Sequence, residues 1–354
     1  MLKGKGKVMN EGLKILMEFC GGLALFLSGM RLMSDSLQKA AGEKMKKILT
    51  VLTGNPVKGV LCGALVTAVL QSSSATTVMA IGFVSAGMMT LPQAIAVIFG
   101  ANIGTTMTAQ LIAFDLGEYV YVLIFAGFMV SFLARKEKAK QIGYTLLGFG
   151  ILFLGIETMS TAMNPLAKSQ FFISMITKFR KIPVLGLLAG TGMTLVVQSS
   201  SSTIAVLQNL ARQAGPDGVH SLIGLNGAIP ILLGDNIGTT ITAVLASIGQ
   251  SKDCKRVALA HCIFNVSGSV LFLFFINPYA DLIRMLSPEG PELMIISRQI
   301  ANAHTGFNLI MTMIWTPLIH VMEKIVTKLI PDPVKKKKIR SEADLSYTGV
   351  ERLG

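Results

Sequence analysis

Gln71-Ser72-Ser73-Ser74-Ala75-Thr76-Thr77 sits inside a stretch, residues 59–114, that contains no Asp, Glu, Lys, Arg or His. A second copy, Gln198-Ser199-Ser200-Ser201-Ser202-Thr203, lies in another apolar stretch. In lipid, an amide or hydroxyl without a partner costs free energy, so each run marks either close helix packing or a bound polar ligand. Ser and Thr are common where membrane helices pack, but duplication of the whole run favours one ligand site built from both copies. Pro56 to Gln71 covers 15 steps (71 − 56), about 22 Å of helix and short of the roughly 30 Å hydrocarbon core. Ser74 to Gly87 is shorter still. Residues 56–87 are therefore expected to form a re-entrant hairpin with Gln71 to Ser74 at its tip, near mid-membrane.

Residues 91–114 make about 36 Å of helix and span. Their midpoint, Gly100-Ala101-Asn102-Ile103-Gly104-Thr105-Thr106, predicts a helix broken at the depth of the hairpin tip. Upstream, residues 13–34 form a first spanning helix. Residues 35–52, with Lys39, Glu43, Lys44, Lys46 and Lys47, are too charged to span and are expected along the interface. Residues 119–134 cross again before the basic cluster Arg135, Lys136, Lys138 and Lys140.

The second half replays this order. Residues 141–163 span, 164–181 return along the surface, and Pro183-Val184-x-Gly186-x-Leu188-x-Gly190 matches Pro56-Val57-x-Gly59-x-Leu61-x-Gly63. The offset is 127 there (183 − 56) and at the serine runs (198 − 71), then 134 (236 − 102) where Gly234-Asp235-Asn236-Ile237-Gly238-Thr239-Thr240 repeats the broken-helix motif. Ala258-x-Ala260-His261-x-x-Phe264-Asn265 recurs as Ala301-x-Ala303-His304-x-x-Phe307-Asn308, early in two last helices, 256–277 and 300–320. This gives a first repeat at 1–140, a second at 141–278, an interfacial segment with the last helix at 279–330, and a soluble basic tail at 331–354. Three crossings per half (13–34, 91–114 and 119–134 in the first) insert the second copy upside down. The expected fold is an all-α polytopic membrane protein of two inverted-topology repeats, each with a re-entrant helical hairpin and a broken transmembrane helix, plus a final helix. A site between the repeats near the midplane is the arrangement of secondary transporters.

Composition agrees: 51% of the 354 residues are hydrophobic and 14% charged, and several apolar segments reach the roughly 20 residues that cross a bilayer. The net charge of +13 lies at the ends and in short connections, as the positive-inside rule expects, and does not point to nucleic acid. Seven crossings put the two termini on opposite faces, and the basic face with 135–140, 252–256 and the tail is the expected cytoplasmic one, leaving Lys3, Lys5, Lys7 and Lys14 outside. Residues 1–30 resemble a signal peptide. The run Leu25-Phe26-Leu27 with Met33-Ser34 is copied internally as Leu152-Phe153-Leu154 with Met159-Ser160, so retention as the first helix is expected. Cys20, Cys62, Cys254 and Cys262 stand singly, without disulfide or metal spacing.

Two hairpin tips place helix N-termini at the membrane centre, with free N–H groups and serine hydroxyls: an anion site without Arg or Lys, suited to an oxyanion. Gln71, Ser72, Ser73, Ser74, Gln198, Ser199, Ser200 and Ser201 are its candidates. Oxygens of Gln71, Gln198, Asn102, Thr105, Thr106, Asn236, Thr239 and Thr240 suit a hard cation beside it. Asp235, where the first half has Ala101, is either a cation ligand or proton carrier, or the cap of a broken helix. His261 and His304 are expected to hydrogen-bond between helices rather than to bind metal, because no third ligand is in view. No nucleophile–base pair, P-loop or Walker motif is present, which disfavours an enzyme and an ATP-driven pump.

At these residues the chain resembles the type II sodium/phosphate cotransporter family, whose inverted halves each carry QSSS and a downstream NIGTT-like motif. Both stand in both halves here, as QSSSATT, ANIGTT, QSSSST and DNIGTT, and the resemblance covers residues 13–330. The resemblance implies sodium-coupled movement of inorganic phosphate, with Gln71 to Ser74, Gln198 to Ser201, Asn102, Thr105, Asn236 and Thr239 around the ions. It implies a bacterial plasma-membrane, multi-pass carrier without a cofactor, with sodium as the coupling ion. Expected partners are phosphate, sodium and lipid, with a homodimer left open. Bacterial relatives continue into a PhoU-like cytoplasmic domain, and this sequence ends where that domain would begin, so its regulatory input is expected to be absent. The His-x-x-Phe-Asn motif departs from the symmetry, since it occurs twice in the second half and not at 119–134. Two alternatives stay open: a carrier of sulfate, arsenate or a small carboxylate with a proton at Asp235, and a membrane phosphate sensor or scaffold without transport.

Overall fold

The computed structural model describes residues 11–51, 55–114, 116–167 and 169–332. The first half comprises α1 (Glu11–Val51), α2 (Pro56–Leu70), α3 (Ser73–Ser85), α4 (Leu91–Ile112) and α5 (Tyr119–Leu133). The second comprises α6 (Glu137–Ala167), α7 (Gln170–Lys181), α8 (Pro183–Val197), α9 (Ser200–Ala211), α10 (Gly224–Thr239), α11 (Ile241–Ser247) and α12 (Lys252–Phe274). α13 (Ile276–Met285), α14 (Glu292–Trp315) and α15 (Ile319–Leu329) close the described chain.

Among the described residues, five segments are long and apolar enough to cross a bilayer: 12–41, 91–112, 137–165, 224–247 and 252–274. α14 and α15, bent by 84°, make a sixth if they form one span. The chain is thus a multi-pass membrane protein. The seven expected crossings are not reached by length, because α5 has 15 residues, about 22 Å. The three crossings per half, and with them the parity argument for inversion and for the termini on opposite faces, do not follow from helix length. Lys3, Lys5, Lys7 and residues 333–354 of the expected tail lie outside the described residues.

Two expected breaks are absent. α1 runs on from the spanning segment through residue 51, since residues 35–51 contain no proline and one glycine, Gly42, and are otherwise rich in Leu, Lys, Ala, Glu, Gln and Met. α4 is likewise unbroken across Gly100 to Thr106. Its glycines serve close approach instead: a Cβ on Gly100 would stand 1.9 Å from the Val60 carbonyl, and one on Gly63 of α2 would stand 2.0 Å from the Val97 carbonyl. The second half repeats the contact between α8 and α10, where a Cβ on Gly190 would meet the Ile231 carbonyl at 2.0 Å and one on Gly234 the Leu187 carbonyl at 2.0 Å. Small residues let membrane helices approach to backbone contact in this way. In the second half the chain does break, between α10 and α11 at Thr240, at the end of the motif rather than its middle.

α1 and α6, the internal copies, pack against each other: a Cβ on Gly29 would lie 2.3 Å from Leu152 N, and one on Gly155 would lie 2.3 Å from Phe26 N. Buried Phe26, Leu152, Phe153 and Met159 form the small core of this pair. The larger core runs from Val60 of α2 through Ile95 and Phe99 of α4 to Phe264 of α12 and Phe307 of α14. α6 continues through Pro165 to Ala167, and α7 returns as an amphipathic helix that buries Ile176 and ends on Lys178, Arg180 and Lys181. The four cysteines are free.

Candidate functional site

Each serine run begins a helix after a sharp reversal. Gln71 and Gln198 are the non-glycine residues with positive φ among those described, 53° and 54°. This conformation costs a non-glycine residue on the order of 1–3 kcal/mol. It ends α2 and α8, with Gln71 N donating to Thr67 O and Gln198 N donating to Thr194 O, both at 2.7 Å. Ser72 and Ser199 then cap α3 and α9: Ser72 Oγ accepts from Ala75 N (3.2 Å), and Ser199 Oγ accepts from Ser202 N (3.4 Å). The N–H groups of Ser73, Ser74, Ser200 and Ser201 precede the first intrahelical bonds, which Thr76 N and Thr203 N make, and so point out of the helix ends.

Both ends face one cavity of about 460 Å³. Its wall holds Gln71, Ser72, Ser73 and Ser74 from the first half, and Gln198, Ser199, Ser200 and Ser201 from the second. All eight expected oxyanion ligands therefore come together, although 127 positions separate the copies. Two helix N-termini with serine hydroxyls aimed at one space favour a negative charge there. A cavity of about 580 Å³ bounded chiefly by α1, α7, α8 and α9 is lined almost wholly by apolar groups such as Phe19, Phe172 and Leu207, with Thr203 as its one hydroxyl-bearing residue, and is a poor place for an oxyanion.

α1 supplies wall residues that sequence reasoning missed. Arg31, Ser34, Asp35 and Gln38 line the polar cavity, and Ser34 Oγ donates to the Leu70 carbonyl (2.7 Å), tying α1 to the end of α2. The expectation of a site without Arg or Lys is corrected: Arg31 is on the wall, with Nε 3.8 Å from Asp35 Oδ2. The i, i+4 spacing of Arg31 and Asp35 within an apolar helix was the available signal.

Of the expected cation ligands, Gln71, Gln198 and Thr105 reach this cavity, whereas Asn102, Thr106, Asp235, Asn236, Thr239 and Thr240 are not on its wall. The asparagines are engaged elsewhere. Asn102 Oδ1 pairs with His261 Nε2 (3.0 Å) and Asn236 Oδ1 with His304 Nε2 (3.1 Å), so the histidines join helices as expected. Thr106 and Thr240 donate to the carbonyls of Ile103 and Ile237, and Thr239 to that of Asp235. Asp235 lies within α10 rather than capping a helix end, and is fully buried. No group of three or more His, Cys, Asp or Glu residues fit to hold a metal exists among the described residues.

A model of the Na+/Pi-cotransporter family matches residues 25–161 and, a second time, residues 155–290. The chain belongs to the Na+/Pi-cotransporter family. This is a family of phosphate transporters and not an enzyme class. Among the relatives of this Na+/Pi-cotransporter chain is the uncharacterized protein YqeW of Bacillus subtilis, 33% identical over 317 residues, which are 90% of this chain and 99% of YqeW. YjbB of Escherichia coli, which carries a name for inorganic phosphate export, is 26% identical over 318 residues, and the chain spans 56% of its length. Sodium-dependent phosphate transport protein 2B of Homo sapiens is 33% identical over 113 residues, 31% of this chain and 16% of that protein. No solved structure matches the chain.

Proposed function

We propose that the protein is a secondary transporter that moves inorganic phosphate together with sodium by alternating access. One observation carries the reading: the two Gln-Ser-Ser-Ser runs, one per family repeat, open their helix N-termini into a single polar cavity. Phosphate is held by the hydroxyls and N–H groups of Ser72, Ser73, Ser74, Ser199, Ser200 and Ser201, with Arg31 at the wall. Sodium sits beside it on the oxygens of Gln71, Gln198 and Thr105, so that cation and anion offset each other's charge.

In this reading α2–α3 and α8–α9 are re-entrant hairpins of two inverted repeats, for which the two strained glutamine reversals are the supporting geometry. They move against α1 and α6 to open the cavity to either face. Proteoliposomes should accumulate labelled phosphate under an inward sodium gradient, and equal uptake with potassium or choline would remove sodium coupling. The name of YjbB favours a second reading of direction, namely efflux. Loss of phosphate from preloaded vesicles that is faster than uptake under the mirrored gradient would establish it.

A further inference from the structure

The apolar cavity of about 580 Å³ shares a helix with the polar one. Ser200 and Ser201 of α9 line the polar cavity, whereas Thr203, Val206 and Leu207 of the same helix line the apolar one. The Thr203 hydroxyl is engaged with Thr194 Oγ1 at 2.8 Å, so the one hydroxyl on the apolar wall is already paired. A water molecule finds no partners in such a space, which stays dry and takes apolar molecules instead.

The cavity is not sealed. Leu16 stands on its wall and is 56% exposed, and it belongs to the segment 12–41 that is long and apolar enough to cross a bilayer. An opening there faces lipid. The volume lies within the roughly 300–1,000 Å³ of ligand sites, and a concave wall gives an acyl chain more close contacts than the outer surface of a helix does.

Charge beside the cavity selects the headgroup. α7 turns Phe172, Met175 and Phe179 to the cavity and ends on Lys178, Arg180 and Lys181, all exposed. A helix with one apolar face and basic residues on the other lies in the membrane interface, which puts these cations at headgroup depth, on either side of the cavity-lining Phe179. Arg180 also acts on His220, the partner of Asp217, so Lys178 and Lys181 are the cations assigned to the headgroup. Lys14 of α1 is 3.7 Å from Glu18, and that pair adds no net charge. No carboxylate lines the cavity.

We propose that one acyl chain of an anionic phospholipid occupies the apolar cavity, with its headgroup on Lys178 and Lys181. The chain backs α9 from outside the polar cavity, so the helix whose N-terminus carries the second serine run is bedded partly on lipid. The site follows from the fold and the charges alone, and its test needs no transport.

The test is native mass spectrometry of the delipidated full chain, titrated with phosphatidylglycerol or with phosphatidylcholine of the same acyl chains. The parent should bind its first phosphatidylglycerol about tenfold more tightly than phosphatidylcholine, from roughly fivefold per lysine reduced by screening. Lys178→Gln/Lys181→Gln changes exposed residues only, and should fold normally and cut this preference to within about threefold. Ala189→Phe places a ring in the cavity from α8 and should weaken the first phosphatidylglycerol at least about fivefold, the low end of the cost of overpacking. Val206→Phe does the same from α9, should Ala189→Phe not fold. Equal affinity of the parent for the two lipids overturns the proposal. So does a first phosphatidylglycerol that binds unchanged in the filling variants, which would leave the chain outside the cavity. Binding that appears only after deletion of residues 2–10 overturns it as well and assigns the cavity to the start of the chain, and a lipid-free dimer assigns it to a second copy.

Discussion

Gln71 and Gln198 share one left-handed backbone conformation, φ 53° and 54°, and face the same cavity from opposite halves of the sequence. Gln71 Oε1 also accepts from Thr108 Oγ1 (2.9 Å). A glycine would adopt this conformation without strain, and a glutamine is retained at both places. Gln198→Gly should therefore leave the melting temperature unchanged or raise it, by relief of about 1 kcal/mol, while phosphate uptake falls at least about tenfold, the scale of one lost contact to a charged ligand. A lower melting temperature with normal uptake would make Gln198 a structural residue. Thermal unfolding and flux on the same preparation separate the two.

In the proposed function the serine hydroxyls and the helix ends act on the same anion but separately. Ser73→Ala or Ser200→Ala removes one hydroxyl and leaves the N–H groups and the Ser72 and Ser199 caps in place. Half-saturation by phosphate should rise about three- to tenfold in each, near 1 kcal/mol per hydrogen bond, with an unchanged elution profile. Unchanged half-saturation in both would take the serine runs out of the site.

Much of this arrangement is legible in the sequence, because duplication is a signal that survives without coordinates. The 127-residue offset places Gln71 with Gln198, and the cavity brings them together. The break expected at Gly100 to Thr106 is not formed, because glycine in a membrane helix serves either to interrupt it or to let a neighbour approach, and only packing chooses between them. Likewise Asn102 and Asn236 have the chemistry of cation ligands, but His261 and His304 come from helices whose position no local pattern gives. Arg31 was missed because its distance from the serine runs is set by the packing of α1, not by any motif.

Backbone contact through glycine makes a sharp prediction. Gly100→Ala and Gly234→Ala would place a Cβ 1.9 and 2.0 Å from the carbonyls of Val60 and Leu187, contacts that only displacement of α2 or α8 relieves. Each should lose several-fold in folded yield, at a cost at the upper end of the roughly 1–3 kcal/mol for overpacking. Gly82→Ala and Gly192→Ala, where a Cβ meets nothing within 4 Å, should be neutral by the same detergent-stability assay.

The Asn102–His261 and Asn236–His304 pairs predict coupling without a change of ion dependence. Removal of one partner leaves a buried polar atom unsatisfied, so Asn102→Ala and His261→Ala should each lose about 1–2 kcal/mol of stability. The double variant should recover about 0.6–1.7 kcal/mol relative to their sum, the range for hydrogen bonds between membrane helices. Half-saturation by sodium should stay within twofold of the parent in variants that remain folded. A large shift in sodium dependence with no coupling in stability would return Asn102 to the cation site.

Arg31 and Asp35 stand 3.8 Å apart on the cavity wall with both side chains more than half exposed, and in the proposed function the carboxylate offsets the pull of the guanidinium on the anion. Interactions at that exposure are weak and screened by salt, so the effects are small but opposite in sign. Asp35→Asn frees the guanidinium and should lower half-saturation by phosphate about two- to threefold at low ionic strength, whereas Arg31→Gln should raise it by a similar factor. Both shifts should shrink as choline chloride is raised at fixed sodium, because screening acts on the charge and not on the serine hydroxyls. A shift of the same sign in both variants, or one insensitive to added salt, would mean that α1 contributes shape to the cavity and no field.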